Sequence, residues 1–170
     1  MLFDEFVEYI ECSEEFKSIK EKYPDLELCT GFFVLDFIGK DNKGTLDYIT
    51  KDKVFTFSLN ENNVVVNEDA LVETEKNPLT PITPKLTIQV NELKGIVGFE
   101  ALEQGVHEKF QKIIVVLQNY KEDETNEEKT LVWNLTCILD NLKILHVLID
   151  ANNGNILKFE KKNLMDFVRK

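Results

Sequence analysis

The sequence predicts an α+β fold made of two helix-plus-antiparallel-meander units. Three observations carry that prediction. Runs of β-branched and aromatic residues, punctuated by Gly, Asn and Asp, flank a proline-containing segment; an apolar stripe at helical spacing precedes each set of runs; and 170 residues, 43% of them apolar, suffice for a core that needs no metal or disulfide staple.

The elements follow in order. Phe3, Phe6, Val7 and Ile10 share one helical face, whereas Phe16, Ile19 and Tyr23 keep the spacing on the far side of the axis. Ser13 followed by Glu14 and Glu15 is an N-cap signature, so two short helices with a break at Ser13 are expected, ending at Pro24. Strands are expected at 28–38, 45–50, 54–59 and 63–66, separated by turn residues such as Gly39 to Gly44 and Asn60 to Asn62. Pro78, Pro81 and Pro84, three residues apart, mark an extended connector. Beyond a short apolar stretch at 86–90, the residues Phe99, Leu102, Val106, Phe110, Ile113, Ile114, Leu117 and Tyr120 recur at steps of three and four, which predicts a helix over 99–120. Alternation from Trp133 to Leu139, an Asp140-Asn141 turn, a run at 142–149 and an Asn-Gly turn before 156–159 predict a second meander. Asn163 then introduces a short terminal helix. The domain reading is a first unit at residues 1–73, a linker at 74–85 and a second unit at 86–170.

Charge and cysteine usage exclude whole classes of function. A net charge of -11 argues against grasping a phosphate backbone or an anionic membrane, so neither nucleic acid nor membrane is an expected partner. The acidic start, Asp4 and Glu5 among them, does not resemble a secretory signal, and the longest apolar run, Ile113 to Leu117, is far below the ~20 residues of a membrane span. A cytoplasmic protein with buried, reduced Cys12, Cys29 and Cys137 is the expectation.

The residues from Trp133-Asn134-Leu135 through Leu145-His146-Val147-Leu148-Ile149-Asp150-Ala151-Asn152-Asn153-Gly154-Asn155-Ile156-Leu157 resemble the PepSY and PepSY-like domains. Those domains carry an aromatic-led strand and an apolar strand ending in Asp-Ala-x-x-Gly. The resemblance covers roughly 60 residues, and it implies cystatin-like α+β units that bind or restrain other proteins, peptidases among them.

Chemistry is thinly represented. His107 and His146 lack a second ligand at metal-binding spacing, and Asp150 lacks the remaining ligands of a calcium loop, so it reads as a turn former; no metal and no cofactor are expected. Cys137 and His146 are the one nucleophile and base that neighbouring strands could bring together, yet Cys137 shares its face with Trp133 and Leu135, which marks that face as core. The sequence therefore reads as a non-enzymatic protein-binding or inhibitory module, partnered by another protein or by a second copy of itself. Its candidate surface lies at Phe32 and Val34, opposite in phase to Phe33, Leu35 and Phe37, because one helix covers only one face of a strand. The alternative is a small-molecule or enzymatic site between the two units.

Overall fold

Ser13 ends one helix and starts another. In α1 (Phe3–Glu11) the residues Phe3, Phe6, Val7 and Ile10 are buried. Ser13 Oγ donates to the Ile10 carbonyl at 2.6 Å and accepts the Phe16 N–H at 3.2 Å, so α2 (Glu14–Lys22) begins in a new direction and turns Phe16 inward. The computed structural model describes residues 2–71, 80–83, 86–121 and 128–165. Pro78 and Pro84 of the connector, residues 122–127 between the expected helix and the second meander, and residues 166–170 of the expected terminal helix lie outside them.

The strands are β1 (Glu27–Asp36), β2 (Lys43–Ile49), β3 (Lys53–Asn60), β4 (Asn63–Ala70), β5 (Phe110–Tyr120), β6 (Thr130–Leu139), β7 (Lys143–Asp150) and β8 (Ile156–Asn163). Between β4 and β5 a 3-10 turn at Val90–Glu92 runs into α3 (Leu93–Glu103). Turn chemistry fixes the hairpins. Glu61 and Asn62 both take positive φ (49° and 72°), the pair of left-handed residues that joins β3 to β4 with a twist matching the strands.

The fold class corrects the sequence expectation. Instead of two packed cystatin-like α+β units, the molecule is one continuous eight-stranded antiparallel sheet in the order β4-β3-β2-β1-β5-β6-β7-β8. The deciding contact is β1 against β5, in register from Gly31↔Leu117 to Asp36↔Lys112. It makes β1 an interior strand shared by both meanders. The helices respect no division either. Phe3 of α1 packs edge-on against Trp133 of β6 at 5.8 Å between centroids, and its N–H donates to Gln89 Oε1.

The expected helix over 99–120 is corrected as well. The helix is α3, and it ends where Gly105 takes φ +77°; the apolar run that follows is β5. Leu93, Val97 and Ala101 are the buried residues of α3, while Phe99 and Leu102 are 67% and 62% exposed.

The three described α-helices lie on one face of the sheet, the inner face, since their buried residues join Phe33, Leu46, Phe57, Val115, Leu135 and Val147 in a single core. Trp133, fully buried, donates from Nε1 to the Ile88 carbonyl at 3.0 Å and so ties the chain ahead of α3 to the sheet. The described part of the connector is pinned too: Ile82 N–H donates to the Leu28 carbonyl, and Asn119 donates to Thr80 Oγ1 and the Pro81 carbonyl.

Candidate functional site

Side chains alternate across each strand, so the registers give the composition of the outer face directly. Phe32 stands beside Thr45 of β2 and Val116 of β5; the row continues through Asn134 and Leu148 to Lys158. The next row runs Lys43, Val34, Ile114, Thr136, His146, Glu160. Phe32 and Val34 thus meet Val116 and Ile114 across the β1·β5 seam, in the middle of the sheet, as an apolar centre. Phe32 is 37% exposed and Val65, on β4, is 39% exposed. Val132 and Leu148 belong to the same face but are closed off, at 0% and 2% exposure, without joining the core.

Charge surrounds this centre in both signs. Lys43, Lys112, Lys158 and Lys162 are the lysines of the outer face. Its acids are Glu27, Asp36, Asp47, Asp69, Asp150 and Glu160. Two of these acids have structural work. Asp36 accepts the N–H groups of Ile38 and Gly39, which holds its carboxyl below the usual range, and Asp47 accepts the Thr56 hydroxyl at 2.6 Å while burial raises its pKa. Glu160 lies between Lys158 (3.2 Å) and Lys162 (3.7 Å), with His146 Nδ1 at 3.9 Å. His146 Nε2 sits 2.9 Å from Asn134 Oδ1. Partial burial and the nearby Lys158 lower the His146 pKa.

The remaining chemical candidates are dispersed. Cys137 and His146 occupy opposite faces, since His146 pairs with Thr136 and Cys137 with Leu145. Burial pushes the Cys137 thiol up to about 12, and Cys29, which donates to the Asp47 carbonyl, also to about 12. Cys12 is exposed, contrary to the expectation of a buried thiol, because it falls at the C-terminal end of α1 where the chain turns outward. His107 is exposed in the loop between α3 and β5, not on a helix. Asp150 braces its own turn: Oδ1 accepts the Asn152 N–H, and the Asp150 carbonyl accepts the Gly154 N–H. Among the described residues, no group of three His, Cys, Asp or Glu is placed to hold a metal ion.

Two of the depressions among the described residues flank the core. One, of about 520 Å3, lies between the helix break and the β3–β4 turn and is ringed by Glu5, Glu8 and Glu15 around Tyr9 and Cys12. The other, of about 810 Å3, opens at the β1–β2 hairpin end of the sheet, with Phe6, Phe33, Leu35, Leu59 and Val90 as its apolar wall and Asn42, Asn60 and Asn91 on its rim. Gly44 keeps this wall flush, since a Cβ there would meet Phe33 at 3.0 Å. Sequence reasoning missed the contribution of Ile114 and Val116 to the outer face. The signal for them was the five-residue apolar run at 113–117, too rich in branched residues for one helical stripe.

No described helix is long and apolar enough to cross a membrane. No family model matches the chain, and no curated protein sequence matches it. A solved structure does: a "putative lipoprotein" of Clostridium difficile 630 superposes with a TM-score of 0.55 at 13% identity, over 88% of this chain and 91% of that one. At that identity the likeness concerns the fold: a second sequence, different at most positions, builds a similar chain path.

Proposed function

We propose that the chain is a non-enzymatic protein-binding or regulatory module whose working surface is the outer sheet face centred on Phe32 and Val34. The observation that supports it is Phe32 itself: an aromatic side chain 37% exposed on an interior strand, on the face opposite all three described helices, bordered by Val34, Ile114 and Val116. The resemblance of 133–157 to PepSY-like domains points to the same class of role. A photoreactive amino acid at Phe32, compared with one at exposed Lys17 on α2, tests the reading in cells. Capture at Phe32 that is lost in Val34→Asp agrees with it. Equal capture at both positions, or none at Phe32, defeats it.

A second reading is favoured by the cleft at the hairpin end, where α1, strands β1 to β3 and the 3-10 turn at Val90–Glu92 converge on about 810 Å3 of mostly apolar space. It makes the chain a carrier of a small amphipathic molecule. Native mass spectrometry of protein taken from its own host, with Leu59→Trp as a blocked control, decides it: a bound mass absent from the control supports a ligand.

A further inference from the structure

We infer that the cleft at the hairpin end takes an amphipathic molecule with one aliphatic chain and an uncharged, hydrogen-bonding head. The aliphatic chain lies against Phe6, Phe33 and Leu59, and the head sits among Asn42, Asn60 and Asn91. The inference rests on the carrier reading above and names the class of ligand.

Shape is the first argument. Phe6, Phe33 and Val90 line the cleft and are buried members of the core, with Leu35 and Leu59 packed against it. Gly44 lies under both rings, since a Cβ there would stand 3.0 Å from Phe33 and 3.5 Å from Phe6. Its φ is not in the left-handed region, so the backbone does not demand a glycine. What the missing side chain supplies is room: both rings settle against the strand, and the space in front of them stays open. The volume, about 810 Å3, falls within the ~300–1,000 Å3 of small-molecule sites.

The rim is preformed and carries carboxamides. Asp36 accepts the N–H groups of Ile38, Gly39 and Asp41, and Asn42 Oδ1 accepts the Asp36 N–H at 2.8 Å, which pins the loop from Phe37 to Asn42 to the end of β1. With Oδ1 engaged, Asn42 keeps its amide N–H groups for a ligand. The side chains of Asn60 and Asn91 make no hydrogen bond to another described residue, and each can both donate and accept.

Charge selects the head. The chain carries a net -11, and the depression at the helix break is ringed by Glu5, Glu8 and Glu15. The cleft differs. Asp41 and Lys43 are the charged residues among those lining it, and they pair with each other at 3.4 Å. A carboxylate, phosphate or ammonium head drawn onto the apolar wall would lose hydration without a counter-ion of its own. Hydroxyl and amide groups instead exchange hydrogen bonds with water for hydrogen bonds with the asparagines.

Isothermal titration of the full chain with three probes of one chain length tests this: monododecanoylglycerol, dodecanoate and dodecylammonium, each below its aggregation concentration. The glycerol ester should bind at least about 10-fold more tightly than either ion. Trp133, whose ring lies 6.2 Å from Phe33, should change its emission as the ester binds. Leu59→Trp, which fills the cleft, should abolish the heat of binding. Should that variant unfold, Asn60→Ala with Asn91→Ala alters exposed positions only and should weaken the ester several-fold. Asn91→Asp should tighten dodecylammonium several-fold by giving the ion a partner. Either ion binding the wild-type chain as tightly as the ester overturns the assignment of the head and leaves the carrier reading standing. Ester binding untouched by all of these substitutions lies outside the cleft and overturns the inference as well. If no probe binds, the inference falls, and the carrier reading falls with it when native mass spectrometry also finds no bound mass.

Discussion

Trp133→Phe tests how the chain ahead of α3 is fastened to the sheet. The indole is fully buried, its N–H donates to the Ile88 carbonyl at 3.0 Å, and its ring lies 5.8 Å from Phe3 and 6.2 Å from Phe33. Phenylalanine keeps much of the apolar contact but strands the part-buried Ile88 carbonyl, at ~1–3 kcal/mol for an acceptor that loses its partner away from water. The narrower ring adds about 1 kcal/mol for space its neighbours cannot fill. A total near 2–4 kcal/mol, at roughly 2–4 °C per kcal/mol for a chain of this size, lowers Tm by about 5–15 °C. Trp133 is the sole tryptophan, so urea unfolding of both proteins should be followed by far-UV circular dichroism. A loss below about 1 kcal/mol would refute the reasoning, because it would mean that the Ile88 carbonyl finds water or another donor at no cost.

Gly154→Ala presses on the same segment, since a Cβ there would meet Ile88 Cδ1 at 3.1 Å and φ is +79°; a loss of ~1–2 kcal/mol is expected, less than additive with Trp133→Phe. Thiol titration at mildly alkaline pH should find a single reactive group in the native chain, exposed Cys12, and three after denaturation, because burial raises Cys29 and Cys137 to about 12; a second fast thiol would contradict that. His146 has a folded pKa below its ordinary 6.5, through burial and Lys158, so the unfolded chain takes up the proton first. Its contribution to stability is complete above 6.5 and declines as pH falls through the folded value, and urea midpoints measured across that range should fall less steeply in His146→Gln.

Where local pattern determines structure, the sequence was legible. The alternation Trp133, Leu135, Cys137 lies on the inner face of β6, and Ser13 caps α2 as its neighbours suggest. The stretch from Phe99 to Tyr120 misled for a physical reason. Ile114 and Val116 are apolar although half-exposed, so β5 loses its two-residue period and can be spliced to α3 at steps of three and four. The exposure of Phe99 and Leu102 shows that the resulting stripe had the wrong phase. The pairing of β1 with β5 had no local signature at all, because strand partners far apart in sequence are chosen by the assembled core and not by their own turns. The candidate surface was half legible: Phe32 and Val34 stood out as apolar on the second face of a strand, but the β5 residues that complete it were hidden in the supposed helix.

The β1·β5 seam also bears on how the molecule forms. Each meander can zip up through short turns, but the seam must wait for the ends of a loop of roughly 80 residues to meet, at an entropic cost that grows with the logarithm of loop length. Such distant pairing slows folding into the millisecond-to-second range. Until it closes, β1 and β5 are both open edges, rich in Phe, Val and Ile, and each is a template for the wrong strand. The step that makes the sheet continuous is therefore the one at which a newly synthesised chain is most exposed to aggregation, and substitutions that weaken the seam should reduce soluble yield before they measurably alter the finished fold.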